Sequence, residues 1–509
     1  MAIAADLVRR GAARFADRTA VLFDDESLTY REVDEAANRI AGFLAAHGVR
    51  KGDRVALLVG NGLWSLSLDF ACLKGGLARV PLNARLSVAE HERMIRETGV
   101  RWLVHAAELT SVAEELLARI DGLAAVGVGG PGAGGGPDLL VEAATGPAAD
   151  PGIPLDPADP ALHLFTSGTT GRLKAATHTQ ASYAAIAANI LANLVSPGRD
   201  SVMLHAASLI HASGTFVLPY WLRGGTAAIL RGFEPQEFMA AIERWSVTET
   251  NLVPTMLGML FSSGAATAGD VSSLRTVLYG ASPMPRPLIA EAMKAWGPIF
   301  VQYYGQTEAP LCLSVLDKED HLDESLLGSC GQPAVDAEVR VAAEDGTPVA
   351  PGEIGEVWVR APSQMAGYLD APELNEEMLT PDGWIRTRDM ARTDERGYLF
   401  LVDRRSDMIV TGGYNVYPRE VEDALATHPA VAECAVVGAP DETWVEAVTA
   451  FVTLRSGLTA TAEELQAACR ERLAGYKVPK RVVFAEDLPK SAVGKILRRA
   501  LREPLWEGR

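Results

Sequence analysis

The chain has 509 residues, 48% hydrophobic and 22% charged, with a formal net charge of −18. This is enough apolar material for more than one globular domain. The acidic balance argues against sequence-independent nucleic-acid binding, which needs a basic footprint. The five cysteines, Cys72, Cys312, Cys330, Cys434 and Cys469, stand far apart without CxxC spacing. That pattern argues against a zinc site and a disulfide frame, and fits a reduced cytosol.

The first segment, MAIAADLVRRGAARFADR, carries Asp6 and reads as an amphipathic helix, not a signal peptide. Thr29-Tyr30-Arg31-Glu32 has the spacing of a capping box, and Val33, Ala37, Ile40 and Leu44 then recur at helical spacing up to Gly48. Val55 to Val59 reads as a buried strand, Ser87 to Glu90 caps another helix, and Trp102 to Val104 is a further strand. Such β-α alternation predicts a mostly parallel sheet covered by helices.

Residues 127–137, GVGGPGAGGGP, contain the GxGxxG spacing at Gly127, Gly129 and Gly132. Pro131 and further glycines stand where the helix of a dinucleotide site should begin, so a flexible surface loop is expected instead. Met203 to Leu222 has no formal charge, but His205, His211, Gly214 and Pro219 interrupt it. It is expected to be a buried helix and loop, not a membrane span. From about Ser406 the pattern changes to a compact βα arrangement. It comprises a helix from Pro418, strands at Ala432–Val437 and Ala447–Leu454, and a helix from Thr461.

Residues 166–174 read TSGTTGRLK. A P-loop needs GxxxxGK[ST], and Leu173 and Arg172 stand where that spacing requires other residues. The physical logic of a phosphate loop still holds. Glycines let backbone N–H groups turn toward an anion, the hydroxyls of Thr166, Ser167, Thr169 and Thr170 can donate, and Lys174 adds charge.

YYGQTE at 303–308, TRD at 387–389, DRRSDMIVTGGYN at 403–415 and PKSAVGK at 489–495 follow in that order. Together with the 166–174 string, and over essentially the whole chain, they resemble the adenylate-forming superfamily, which includes acyl-CoA synthetases. The resemblance implies an α/β fold with a large N-terminal domain of mostly parallel sheets covered by helices (1–405) and a small mobile α+β C-terminal domain (406–509). It implies a cytoplasmic enzyme that joins a carboxylate to ATP, releases pyrophosphate, and passes the acyl group from acyl-AMP to a thiol.

The residue roles follow from the same resemblance. Thr166, Ser167, Gly168, Thr169, Thr170, Gly171 and Lys174 would hold the β- and γ-phosphates. Glu308 would hold Mg²⁺, and Thr307 would contact the α-phosphate. Tyr304, followed by Gly305, would stack on adenine, with Gly280, Ala281 and Ser282 on its other side. Asp389 would accept both ribose hydroxyls, and Arg404 would reach ribose or phosphate. Lys495 would bridge the substrate carboxylate and the α-phosphate in the first half-reaction. After rotation of the C-terminal domain, Gly412, Gly413 and Tyr414 would border the pantetheine tunnel. Two charge-bearing reactants must be brought together, so the chemistry asks for positioning and neutralisation.

Four positions depart from the usual pattern: Leu173 for proline, Ala175 for glycine, Arg388 for the glycine of TGD, and Ser406 at the hinge. His211, in SLIHASG, falls in the acyl-pocket segment where amino-acid activators carry an aspartate. Tyr303 stands where malonate-type relatives carry an arginine. An apolar monocarboxylate, fatty or aromatic, is therefore expected. YKVPKRVVFAEDLPKSAVGKILRR resembles acyl-CoA synthetases in particular, and no carrier domain follows residue 509. CoA is the expected thiol, with a separate acyl carrier protein as the alternative within the class, and a non-catalytic acyl- or nucleotide-binding protein as the alternative outside it.

Overall fold

A computed structural model describes residues 2–166, 174–404, 407–411, 414–441, 444–491 and 495–507. The capping boxes form as the sequence implies. Thr29 Oγ1 accepts from the Glu32 N–H, and Ser87 Oγ from the Glu90 N–H, with each glutamate returning to the cap. Val33, Ala37, Ile40 and Leu44 form the buried stripe of the helix Tyr30–Ala46.

Two largely parallel sheets make the body. In one, Ala78–Pro81, Arg54–Leu58, Trp102–Ala106 and Ala124–Val128 run parallel, and the hairpin Pro160–Thr166 and Lys174–Thr179 extends the edge. In the other, Val202–His205 sits between Thr226–Ile229 and Glu249–Leu252, and Thr276–Gly280 and Phe300–Tyr304 continue the parallel run. Strands buried on both faces read as short apolar runs, as here. Phe300–Tyr304 then meets Ser314–Leu316 in antiparallel pairing, so the sheet changes sense at this strand.

The β-α alternation gave no warning of a third sheet. Glu338–Ala342, Gly355–Arg360, Ile385–Thr393 and Leu399–Arg404 are antiparallel throughout. The smaller C-terminal domain packs Pro418–Leu425 and Ala462–Arg470 on a sheet built around Val431–Asp441 and Val445–Leu454.

One expectation is met in part and another needs correction. Residues 127–137 include a turn at the surface, with Gly129, Pro131, Gly134, Gly135 and Pro137 exposed, but packing anchors it. Gly127 lies in a strand, Gly132 pairs with Gly136, and buried Ala133 donates its N–H to His105 Nε2 at 2.9 Å. Met203 begins inside a strand, not a helix. Only Ala212–Thr215 and Val217–Arg223 are helical in the uncharged stretch. Among the described residues no helix is long and apolar enough to cross a membrane.

Candidate active site

The three sheets of the body converge at the end of Phe300–Tyr304, outside the carboxyl ends of parallel strands, where open α/β sheets bind ligands. Gly280 ends the neighbouring strand. A Cβ there would lie 2.4 Å from the Tyr303 carbonyl oxygen, so only glycine lets the two strands approach. Ala281 follows at φ 66, a left-handed conformation unusual for a side-chain residue, and turns the chain toward Ser282. Gly305 is held the same way, because a Cβ would meet the Leu311 backbone at 2.4–2.6 Å. Residues 305–313 are irregular, so Thr307 and Glu308 are not helix caps.

Tyr304 is buried and donates its hydroxyl to Asp389 Oδ2 at 2.6 Å. Gln306 Nε2 donates to the same oxygen at 2.5 Å and to the Thr387 carbonyl at 2.9 Å. The Asp389 carboxylate is thus set before any ligand arrives. Arg404 pairs with Asp389 across the sheet through the backbone. Arg388, between Thr387 and Asp389, adopts φ 60 where a glycine would cost nothing. Its N–H donates to Glu356 Oε1 at 2.8 Å, and its guanidinium meets Glu377 at 2.7 Å.

Thr166 and Lys174 are cross-strand partners at the mouth of the hairpin. Ser167, Gly168, Thr169, Thr170 and Gly171 lie outside the described residues, as do Gly412 and Gly413. The hairpin is tied to the Tyr304 loop by His178, whose Nε2 bonds the Thr307 carbonyl at 2.8 Å. Tyr368 closes the ring of contacts by donating to Glu308 Oε1 at 2.5 Å. Sequence reasoning missed Gln306, His178 and Tyr368.

His211 is the cap residue of Ala212–Thr215, and its Nε2 lies 3.2 Å from Asn83 Nδ2. Burial, and secondarily the charge of Lys495, lowers its pKa to about 4, so it is neutral at neutral pH. Tyr414 is exposed, with its ring stacked on Tyr476 at 4.6 Å, and makes none of these contacts.

Burial also holds His163 and His178 near 4 and His205 near 3. The folded state binds fewer protons than the unfolded one below pH ~6.5. Stability should therefore be full above pH ~6.5 and fall as pH drops toward 4. Denaturant midpoints across that range check this, and a flat profile would contradict it.

The AMP-binding enzyme family matches residues 8–369, and the AMP-binding enzyme C-terminal domain matches residues 420–495. The chain belongs to the AMP-binding enzyme family, within the adenylate-forming superfamily. It is 38% identical over 517 aligned positions to the medium/long-chain-fatty-acid–CoA ligase FadD8 of Mycobacterium tuberculosis, covering 98% of this chain and 89% of that one. It is 40% identical over 489 positions to feruloyl-CoA synthase of an Amycolatopsis species, covering 95% of each. The amide bond synthetase McbA of Marinactinospora thermotolerans superposes with a TM-score of 0.90 at 31% identity, over 99% of this chain and 100% of that one.

Proposed function

We propose that the protein activates an apolar monocarboxylate, fatty or aromatic, as acyl-AMP with release of pyrophosphate, and transfers the acyl group to CoA. The observation that carries this reading is the meeting of Asp389, held by Tyr304 and Gln306, with Glu308 on the segment that follows Phe300–Tyr304, and the tie of the Thr166–Lys174 hairpin to that segment through His178. The relatives named as CoA ligases support it.

In this reading Tyr304, Gly280, Ala281 and Ser282 flank adenine, Asp389 and Arg404 take the ribose, and Thr166–Gly171 with Lys174 take the outer phosphates. Thr307 meets the α-phosphate. The domain boundary falls at 405/406, and Gly412, Gly413 and Tyr414 serve the thiol step. The five free cysteines fit a cytoplasmic setting.

Glu308 fits a magnesium ion. It is a hard oxygen donor, half-buried, with one oxygen held by Tyr368 and no hydrogen bond to the other among the described residues. One carboxylate plus substrate phosphates is the usual protein share of a Mg²⁺ site. When bound, the ion would neutralise phosphate charge. Glu308 would orient it, and Lys495 would draw the carboxylate oxygen toward phosphorus.

The acid class follows from what faces the pocket. His211 is neutral, and the Tyr303 hydroxyl is turned to Asn251 Oδ1 at 2.8 Å, so neither offers a cation to a second carboxylate. Pyrophosphate release over a panel of fatty, aromatic, dicarboxylic and amino acids tests this, with fatty or aromatic acids expected to lead. His211→Ala should reorder the acids by kcat/KM while leaving the ATP KM within about twofold, since a pocket contact discriminates acids by ~1–3 kcal/mol. A change confined to the ATP KM would remove His211 from the pocket. Product mass with CoA, a carrier protein or an amine present distinguishes the acceptors.

A further inference from the structure

We propose that Tyr368 is the positioning residue of the Glu308 carboxylate, fixing one oxygen so that the other is presented to the cation that accompanies ATP. The proposal rests on the assignment of Glu308 as metal ligand and adds a residue that no motif named.

The two-residue strand Gly367–Tyr368 pairs antiparallel with Lys174–Thr179, with Gly367 opposite Thr177 and Tyr368 opposite Ala176. Flanking backbone bonds extend the pairing: Ala366 N–H to the Thr177 carbonyl at 2.8 Å, and Leu369 N–H to the Ala175 carbonyl at 2.9 Å. On its other side, Met365 N–H donates to the Glu308 carbonyl at 2.7 Å. Asn375 grips Tyr368 from the helix Pro372–Met378. Its Oδ1 accepts from the Tyr368 N–H at 2.7 Å, and its Nδ2 donates to the Tyr368 carbonyl at 2.9 Å. Tyr368 is 7% exposed, so its ring has little freedom.

Residues 365–369 therefore bridge the strand Lys174–Thr179 and both ends of Glu308, its carbonyl and its carboxylate. The hydroxyl donates to Oε1, and Oε2 has no hydrogen bond among the described residues. A carboxylate with one oxygen tied to a rigid donor loses rotational freedom about its last torsion, which is how outer partners orient a metal ligand.

Tyr368→Phe removes the hydroxyl and keeps the ring. The test is a Mn²⁺ titration, read by loss of the free-ion EPR signal, with the protein and a non-cleavable α,β-methylene ATP analogue. Tyr368→Phe should weaken Mn²⁺ binding in the ternary complex about 10–100-fold. Its thermal midpoint should stay near the parent's. In Glu308→Gln the further change Tyr368→Phe should add nothing, since the two act through one contact. Parent-like Mn²⁺ affinity in Tyr368→Phe, with Glu308→Gln impaired, would overturn the positioning role alone. Parent-like affinity in Glu308→Gln would overturn the metal assignment and this proposal with it.

Discussion

Lys495→Ala is expected to slow acyl-AMP formation about 10²-fold or more, while thioester formation from supplied acyl-AMP survives. Hydrogen bonds tie Lys495 and Leu497 to Ser491 and Pro489. The Ser491 N–H donates to the Lys495 carbonyl at 2.7 Å, the Lys495 N–H to Ser491 Oγ at 3.1 Å, and the Leu497 N–H to the Pro489 carbonyl at 2.7 Å. Lys495 is exposed, and its charge is a secondary cause, after burial, of the lowered pKa of half-buried His211. In the proposed reaction a carboxylate and an α-phosphate converge on this ammonium. An ammonium is a compact charge suited to two such oxygens. Once acyl-AMP exists that task is over, so the second step should be spared. Assaying the two half-reactions separately checks this, and equal loss in both would make Lys495 a structural residue or one that serves both steps.

Arg498→Met is expected to cost about 3–5 kcal/mol of stability in the packing of the C-terminal domain, the range for removing one partner of a buried ion pair. Its Nη1 lies 3.0 Å from Asp403 and 3.4 Å from Asp407, and its Nε and Nη2 lie 3.0 and 2.6 Å from Glu422. The three carboxylates raise the Arg498 pKa far above its usual value, against the effect of burial. Asp403 is the penultimate residue of the body's last strand, Leu399–Arg404, and Asp407 begins the next described segment, so one guanidinium holds both sides of residues 405 and 406. Without it, Asp403, Asp407 and Glu422 lose the guanidinium they share. Early unfolding of the C-terminal domain, faster proteolysis near residue 405 and a loss of acyl-AMP formation should appear together. A parent-like melting curve and cleavage pattern would contradict this.

The strings to which the proposed chemistry is assigned are contiguous, and YYGQTE alone supplies Tyr304, Thr307 and Glu308 within a few residues. The capping boxes at Thr29 and Ser87 were legible because such a cap spans only four consecutive residues. Contacts between distant segments were not. Tyr368 and Glu308 are 60 residues apart, His178 and Thr307 are 129, and Gln306 and Asp389 are 83. The antiparallel third sheet did carry a local signal, strict burial alternation along Ile385 to Met390, but its charged outward residues gave it no apolar run to draw the eye. Arg388 at φ 60 shows the opposite limit: the sequence marked a missing glycine, and only the backbone shows that the left-handed conformation is kept without it.

The central claim is that this site makes acyl-AMP, and an oxygen label tests it most directly. The enzyme is given an acid carrying ¹⁸O in both carboxyl oxygens, with ATP, Mg²⁺ and CoA. Attack of the carboxylate on the α-phosphorus and later cleavage of the acyl–oxygen bond by the thiol must leave one ¹⁸O in AMP and one in the thioester. Mass spectrometry should find singly labelled AMP in amounts equal to acyl-CoA and pyrophosphate. Unlabelled AMP, or ADP with labelled phosphate, would contradict the account.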